Sequence, residues 1–278
     1  MSHVREPVVV VFLAAAASLV LIGRAQGQQQ GVKQRTCIKQ MNKGGEVVAQ
    51  LQGNLDKRCV RNGNNGDVPD VDACVTNDPF GKVGRKKQST IRRENHFCLR
   101  SPDQNPDFGK TDATTVNNAA TGEEIALLES VFGAPVQAAI ISCGSDAQAC
   151  KCQWRVVQFY EKLMFRKIEG FRLCKKPGLR HGTIIDDSGL ENCMGADPRG
   201  KVANKLHRLQ VIVQKECVTT GVNQAVAFPG TCATAPDLSA CLDARTSCYA
   251  CRMLNAMDGL SKDCDAFDDG LANVSCPP

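Results

Sequence analysis

The sequence holds 16 cysteines, and two of them have the spacing of a redox dithiol. Cys248 and Cys251 form a Cys-x-x-Cys motif, but a reactive motif needs a helix N-terminus among alternating strands and helices, and no such pattern surrounds it. Arg252 stands where covalent haem attachment requires a histidine, which excludes that motif. Zinc is another possibility, because four thiolates complete its tetrahedral shell. The set would be Cys150, Cys152, Cys248 and Cys251. We interpret the motif as structural.

The acidic loop near the C-terminus has part of the pattern of a calcium-binding loop. Its candidate ligands are Asp265, Asp268 and Asp269. Phe267 occupies the third position of this loop and Cys276 the twelfth, where an EF-hand loop has oxygen ligands. A solvated acidic turn is the simpler interpretation, so we predict no metal and no other cofactor. If the loop did bind calcium, the three aspartates would be the candidate ligands.

The sequence offers little for nucleophilic or acid–base catalysis. Beyond residue 25 its histidines are His96, His181 and His207, and no Gly-x-Ser-x-Gly elbow exposes a serine. Asp186 and Asp187 are adjacent in sequence, which is typical of an exposed turn. The residues favour a non-catalytic protein, and a secreted hydrolase of unrecognised type is the alternative.

The first 25 residues have the pattern of a secretory signal peptide. Arg5 precedes an apolar run from Val8 to Ile22, and small residues follow at Gly23 and Ala25. The run is shorter than the roughly 20 residues that span a bilayer, and no later segment is apolar enough to do so. We expect an exported protein, periplasmic or extracellular, without a transmembrane anchor in its mature part. In such compartments, an even and high number of cysteines indicates disulfides.

Many of these cysteines lie in two similar stretches of sequence, and each stretch is expected to form the secondary-structure elements that position them. The stretch from Cys74 to Cys98 matches the stretch from Cys193 to Cys217, and an Asp-Pro-x-Gly-Lys-Val motif lies in register in both copies. Apolar residues recur at steps of three and four between positions 150 and 171, which predicts an amphipathic helix, and again after position 201. We therefore predict two duplicated antiparallel helical hairpins.

Helix length decides which cysteines can pair. A separation of 22 or 24 helical residues spans about 33–36 Å, so cysteines at opposite ends of one helix cannot bond to each other. The ends of one helix must instead bond to the ends of its neighbour. The predicted pairs are Cys37 with Cys98, Cys59 with Cys74, Cys152 with Cys217, and Cys174 with Cys193. Cys143 and Cys150 are left over and could bond to each other, but their pairing stays open. The remaining disulfide cysteines, whose pairing stays open, are Cys232, Cys241, Cys248, Cys251, Cys264 and Cys276.

Local signals predict several helix boundaries. The Pro177–Gly178 pair predicts the end of the long helix of the second hairpin. Thr121–Glu124 has the pattern of a capping box and predicts a helix start. Gly44, Gly45 and Gly53 are expected to interrupt the first helix of the first hairpin.

The predicted fold class is mostly α, with a cysteine-rich helical and loop segment after the two hairpins. The segments are a signal peptide (1–25), a mobile polar lead-in (26–36), hairpin 1 (37–98), an acidic linker and helix (99–149), hairpin 2 (150–217) and an acidic cysteine-rich C-terminal segment (218–278).

Charge follows these segments. Residues 31–100 and residues 150–218 each hold 14 basic and 7 acidic side chains, whereas the segment after each of them is acidic. Basic modules of this kind can face acidic modules of the same molecule, or they can bind an anionic surface or polymer. The partner is therefore open, with an anionic surface or polymer on the hairpins as the specific candidate.

The C-terminal segment, with the cysteine hairpins before it, resembles a loose class of uncharacterised, secreted, cysteine-rich helical proteins known from bacterial genomes. Cys241, Cys248 and Cys251 on a predicted helix from Leu238 to Leu254 carry this resemblance. It implies no activity. The sequence as a whole predicts an exported, disulfide-stabilised, non-catalytic structural or binding module, with calcium or anion binding as a further alternative.

Overall fold

The computed structural model describes residues 29–276, which form helices and connecting loops without a strand. The helices are α1 (Val32–Asn65), α2 (Val71–Asn77), α3 (Lys82–Phe97), α4 (Ala113–Phe132), α5 (Ala147–His181), α6 (Asp187–Glu191), α7 (Lys201–Val213), α8 (Gln224–Ala227), α9 (Leu238–Asp258) and α10 (Cys264–Asp268). The predicted mostly α class is confirmed.

Four helices surround the core. α1 packs against α4 and α5, and α9 packs against the same two helices from the other side. α3 covers the outside of α1, and α7 covers the outside of α5. Each inner helix contributes apolar side chains that are fully or almost fully buried, such as Met41, Leu127, Tyr160 and Met253. Burial of this stripe, rather than intrinsic helix propensity, supplies most of the stability of such helices.

The two cysteine units have the same order of elements. Each consists of a long helix, a short helix and a third helix, α1–α3 in one unit and α5–α7 in the other. Asp78 and Asp197 occupy equivalent positions, and each accepts hydrogen bonds from two backbone N–H groups of the helix that follows. In each unit, a disulfide joins the start of the long helix to the end of the third helical segment, as the cysteine spacing predicts. Their origin by duplication stays a prediction.

All 16 cysteines form disulfides. The pairs are Cys37–Cys98, Cys59–Cys74, Cys143–Cys150, Cys152–Cys217, Cys174–Cys193, Cys232–Cys241, Cys248–Cys276 and Cys251–Cys264. Four of these pairs, Cys37–Cys98, Cys59–Cys74, Cys152–Cys217 and Cys174–Cys193, are the ones that the spacing predicts. Cys248 and Cys251 bond to different partners, so the Cys-x-x-Cys motif ties α9 to two positions in the C-terminal segment.

The expected interruption of α1 by glycines is wrong. The helix runs unbroken through Gly44, Gly45 and Gly53, all of which are buried. A Cβ atom on Gly44 would lie 2.8 Å from the side chain of Thr90, and one on Gly45 would lie 2.8 Å from the sulfur of Met257. These glycines let neighbouring helices approach closely, and that packing offsets their low helix propensity.

Two helix boundaries also differ from the local signals. α4 begins at Ala113, where the carboxylate of Asp112 accepts from the N–H groups of Thr114 and Thr115, so Thr121 lies within the helix. Tertiary packing of residues 113–121 extends the helix beyond the predicted start.

The long helix α5 does not end at Pro177. It continues to His181, because Leu179 is buried on the turn after the proline and Gly182 closes the helix in the left-handed conformation. A proline near the end of a helix removes few hydrogen bonds, and the apolar contact of the last turn offsets that loss.

None of the helices between residues 29 and 276 has the length and apolar character that crossing a membrane requires. The signal-peptide prediction for residues 1–25 lies outside the residues that the structure describes.

Candidate functional site

The side chains that can act on a ligand lie along the pair formed by α1 and α5. The two helices run antiparallel. Asn64 near the end of α1 donates a hydrogen bond to Gln153 near the start of α5 (2.8 Å), and Glu46 in the first half of α1 forms an ion pair with Arg172 in the second half of α5. Their contact line therefore extends over nearly the whole length of both helices.

Basic side chains follow this contact line on its solvent side, and we call this surface the basic seam. On α1, Arg35, Lys39 and Lys43 follow one another at steps of four residues, as do Lys57 and Arg61, which places the members of each group on one helix face. The stripe on α1 spans about 40 Å at 1.5 Å per residue. The basic residues that line clefts of the seam are Arg35, Lys39, Lys43, Lys57, Arg58 and Arg61 on α1, and Lys162, Arg172, Lys176 and Arg180 on α5.

The largest cleft of the seam has a volume of about 500 Å³. Its wall carries Trp154 together with three cations, one of which, Arg61, lies with its guanidinium carbon 5.2 Å from the centre of the indole ring. The remaining lining residues carry carboxamides, namely Asn54, Asn62, Asn65 and Gln158. A half-exposed tryptophan, amides and cations together offer stacking, hydrogen bonds and positive charge.

Cations crowd one another in the middle of the seam. The pKa of Lys162 is lowered by partial burial and then by the positive charges of Lys205, Lys57, Arg155 and Arg208. Within the described chain, no carboxylate lies at ion-pair distance from Lys162 or Lys57. Like charges held together without a counter-charge raise the local positive potential.

Two further carboxylates that reach the seam, those of Glu46 and Glu169, are already neutralised. Glu46 pairs with Arg172, and Glu169 pairs with Arg166 and with Lys201 at 3.6 Å. At the opposite end of the seam, Lys176 and Arg180 are exposed and have no ion-pair partner between residues 29 and 276. The surface is therefore electropositive along its length.

A second group of ionisable residues lies beneath the seam, in the core. Asp56 from α1, Glu124 from α4 and Glu161 from α5 are all buried, and one oxygen of each lies within 4.8 Å of the others. We call these residues the carboxylate cluster. Asp56 accepts a hydrogen bond from the side-chain amide of Gln52 (2.7 Å). Three carboxylates from three different helices thus meet where most proteins place apolar side chains.

Burial raises the pKa of every member of the carboxylate cluster. For Glu124 it raises the pKa to about 8, with the charge of Asp56 acting in the same direction and a hydrogen bond with Glu161 opposing it. Burial and then the charge of Glu161 raise the pKa of Asp56, and burial and then the charge of Glu124 raise that of Glu161. The neighbouring hydroxyl of Tyr160 also has a raised pKa, from burial and from the charges of all three carboxylates.

The raised pKa values predict that the free energy of unfolding falls as the pH rises. The measurement is made in EDTA, so that no bound divalent cation interacts with the carboxylates. The folded chain holds protons on these acids more tightly than the unfolded chain, so the stabilisation is complete below the ordinary pKa near 4.3 and is lost as the pH rises through about 8. Lys57 is the nearby cation that opposes the shift of Glu161. We expect the free energy of unfolding in EDTA to drop on the order of 3 kcal/mol between pH 5 and pH 9.

Urea unfolding at both pH values, with the disulfides intact, measures this drop. Glu161→Gln keeps the shape of the side chain and removes one titrating group, so its drop should be clearly smaller. A wild-type stability that is constant or rises from pH 5 to pH 9 would contradict the assignment.

Two of the calcium candidates of the C-terminal loop, Asp265 and Asp268, lie close together, because a carboxylate oxygen of each lies within 3.3 Å of the hydroxyl of Ser275. Asp265 accepts from the backbone N–H groups of Val274 (2.8 Å) and Cys276 (2.9 Å), and Asp268 forms an ion pair with Arg245 (2.8 Å). Asp269 accepts from the N–H of Leu271 and from the amide of Asn273. Each of the three carboxylates therefore already has hydrogen-bond or ion-pair partners in the C-terminal segment.

The histidines are spread over the surface. His96 lies on α3, His181 at the end of α5 and His207 on α7, and all three are exposed. The structure does not bring them together with one another.

The carboxylate cluster is the group that the sequence did not reveal. Glu161 lies in α5 between Val157 and Met164, on the stripe that the apolar period assigns to the core. An acidic residue at a core position is the signal that could have identified it. Glu124 was hidden differently, because the local pattern assigned it to a helix start.

Comparison with known proteins yields no relative for this chain. No protein-family model, no curated protein and no solved structure matches it. The interpretation of the site therefore depends on its geometry alone.

Proposed function

We propose that this protein is an exported, non-catalytic binding module that holds an extended acidic glycan along the basic seam. The observation that carries the proposal is the crowding of cations around Lys162 without a neutralising carboxylate. In the free protein these cations repel one another, and a chain of evenly spaced anionic groups would relieve that repulsion along the whole seam.

The chemistry of the largest cleft favours a sugar polymer among the anionic ligands. Trp154 presents an aromatic surface on which the apolar face of a sugar ring can pack. The carboxamides of Asn54, Asn62 and Gln158 can donate to and accept from sugar hydroxyls, while Lys57 and Arg61 supply charge for carboxylate or sulfate groups.

The disulfide framework supports a location outside the cytoplasm. Eight disulfides are stable in oxidising compartments and rare in reducing ones. A stapled helical scaffold of this kind suits a protein that must keep a long, rigid binding surface in an unprotected environment. Periplasmic and extracellular locations satisfy this argument equally.

Binding to polygalacturonate and to heparin, measured by calorimetry, tests the proposal. The triple variant Lys57→Gln, Arg61→Gln, Lys162→Gln removes three charges from the centre of the seam. At roughly 0.5 kcal/mol for each exposed charge, we expect affinity to fall about tenfold and its salt dependence to weaken.

A matched control removes the same number of charges elsewhere. Lys86, Arg199 and Lys215 are exposed and lie outside the seam clefts, so their exchange for glutamine should leave the affinity within about twofold. Equal losses in both triple variants would show that only net charge matters and would contradict a defined site. So would binding of duplex DNA as tight as that of either glycan, or no binding of either glycan.

A further inference from the structure

The carboxylate cluster contains three buried acids, none of which forms an ion pair with a side chain of residues 29–276. We propose that Asp56, Glu124 and Glu161 form a binding site for one hard divalent cation, with the hydroxyl of Tyr160 as a further oxygen donor. This inference does not depend on glycan binding, since the cluster lies beneath the basic seam rather than on it.

The spacing of the three carboxylates suits one ion. Their nearest oxygens lie within 4.8 Å of one another. Calcium and magnesium bind oxygen at about 2.0–2.6 Å, so two oxygens on one ion are separated by up to about 4–5 Å. The donors are all oxygen atoms, which favours hard cations such as Mg²⁺, Mn²⁺ or Ca²⁺ over Zn²⁺ bound by sulfur or imidazole.

The second observation is an unpartnered hydroxyl beside the cluster. Tyr160 is 0% exposed, and its hydroxyl has no hydrogen-bond partner among the described protein atoms. Nearly all buried polar groups in proteins have a partner, and an ion is one accepted explanation for an exception. Tyr160 directly precedes Glu161 in α5, and both residues are buried in the core between the helices.

The three carboxylates also have buried oxygen atoms without a hydrogen-bond partner. One oxygen each of Asp56, Glu124 and Glu161 is buried and lacks a hydrogen-bond partner within residues 29–276. Leaving three such atoms unsatisfied costs about 1–3 kcal/mol for each of them, and more when they are charged. A cation that all three contact would satisfy these oxygens together.

Gly53 gives the cluster its room. A Cβ atom at this position of α1 would lie 2.1 Å from one carboxylate oxygen of Glu161 and 3.2 Å from an oxygen of Glu124. Alanine is favoured over glycine in a helix by about 1 kcal/mol. The glycine therefore leaves space for the carboxylates where a side chain would displace them.

A small cleft connects the cluster with solvent. It has a volume of about 60 Å³ between α1 and α5, and Gly53, Glu124 and Glu161 form its inner part while Lys57 and Lys162 lie at its wall. Two of the three carboxylates, those of Glu124 and Glu161, thus line a cleft that is open to solvent.

Titration of the EDTA-treated, disulfide-intact protein with Mn²⁺ tests the site, because Mn²⁺ accepts oxygen ligands and is visible by electron paramagnetic resonance. We expect one Mn²⁺ per chain, displaced by excess Ca²⁺ or Mg²⁺, and a thermal unfolding midpoint that rises with Mn²⁺ concentration. Glu161→Gln and Asp56→Asn should each weaken binding at least about tenfold.

Three variants distinguish a ligand role from loss of the fold. Glu161→Gln leaves the core with fewer charges, so without metal it should unfold at a temperature no lower than that of the wild type at pH 8. Tyr160→Phe should weaken Mn²⁺ binding while keeping the far-ultraviolet circular dichroism spectrum. The double variant Asp265→Asn, Asp269→Asn, in the C-terminal acidic loop, should bind Mn²⁺ as the wild type does.

Several results would overturn the proposal. One is no binding of Mn²⁺, Ca²⁺ or Mg²⁺ at about 1 mM, the weak end of protein calcium sites, in a folded protein. Another is Mn²⁺ binding that Glu161→Gln leaves unchanged but the loop double variant abolishes. In the first case, shared protons rather than an ion hold the cluster together.

Discussion

Lys175→Met is expected to lower the free energy of unfolding by about 3–5 kcal/mol, because it leaves one charge of a buried ion pair without its partner. Lys175 is 1% exposed, and its ammonium group donates hydrogen bonds to the carboxylate of Asp258 and to the carbonyl of Gly109 (2.9 Å). Asp258 is 2% exposed, and its second oxygen accepts from the amide of Asn42 (2.8 Å). Without the lysine, a buried carboxylate would keep only that one neutral donor.

The neighbouring residue provides the control. Lys176 is exposed and has no ion-pair partner among residues 29–276, so Lys176→Met should change the free energy of unfolding by less than about 0.5 kcal/mol. Adding Asp258→Asn to Lys175→Met should restore part of the lost stability, since it removes the uncompensated charge. Urea unfolding of all variants, with disulfides intact, measures these differences. If Lys175→Met costs no more than Lys176→Met, the ion pair does not hold α5 to α9.

Removing the disulfide between Cys152 and Cys217 is expected to destabilise the protein by about 4 kcal/mol. The two cysteines are 65 residues apart in sequence, and the bond joins the start of α5 to the π-helical turn Gln214–Val218, which continues directly from α7. In the chain-entropy model, the stabilisation grows with the logarithm of the loop that the bond closes, because the bond restricts the unfolded chain. The bond between Cys37 and Cys98, with a separation of 61 residues, should have nearly the same effect.

The bond between Cys143 and Cys150 is the matched comparison. It closes a separation of only 7 residues, so the same model gives about 2.5 kcal/mol for its removal. Both pairs should be replaced by alanine and compared by urea unfolding. If the short-loop variant loses as much stability as the long-loop variant, packing around the sulfur atoms rather than chain entropy determines the effect.

The sequence predicted the disulfide ladder because helices are rigid rods. The regular helix α5 holds Cys152 and Cys174 far apart, so each must bond to a cysteine outside that helix, which is how the structure joins Cys174 to Cys193. Cys193 lies in a turn before α7, which begins at Lys201. The six C-terminal cysteines lie on α9, at the start of α10 and in irregular loops, and six cysteines allow 15 pairings. Loop conformation decides among those pairings, and cysteine spacing does not encode it.

The two candidate sites depend on which helices meet, and this was beyond the sequence. The basic stripe on α1 is visible as Lys39, Lys43, Lys57 and Arg61 at helical spacing. The partner expected for α1 was the other helix of its own hairpin, α3. In the structure α1 also lies along α5, and that contact between the two cysteine units creates the basic seam.

The carboxylate cluster could not be predicted from the sequence either, because it also depends on which helices meet. Asp56, Glu124 and Glu161 are separated by tens of residues, and no local pattern relates them. Local rules gave Glu124 a role at a helix start, because a capping box is a short-range signal. Packing of α4 against α1 and α9 extended the helix and moved Glu124 into the core.

Mapping the disulfides by mass spectrometry, on protein secreted from an oxidising host and digested without reduction, tests most directly the claim that the cysteines form a closed structural framework. We expect no free thiol and eight linkages, among them Cys248 with Cys276 and Cys251 with Cys264. A bond between Cys248 and Cys251, or a set of reduced cysteines that binds zinc, would contradict it. Either result would return the Cys-x-x-Cys motif to redox or metal chemistry.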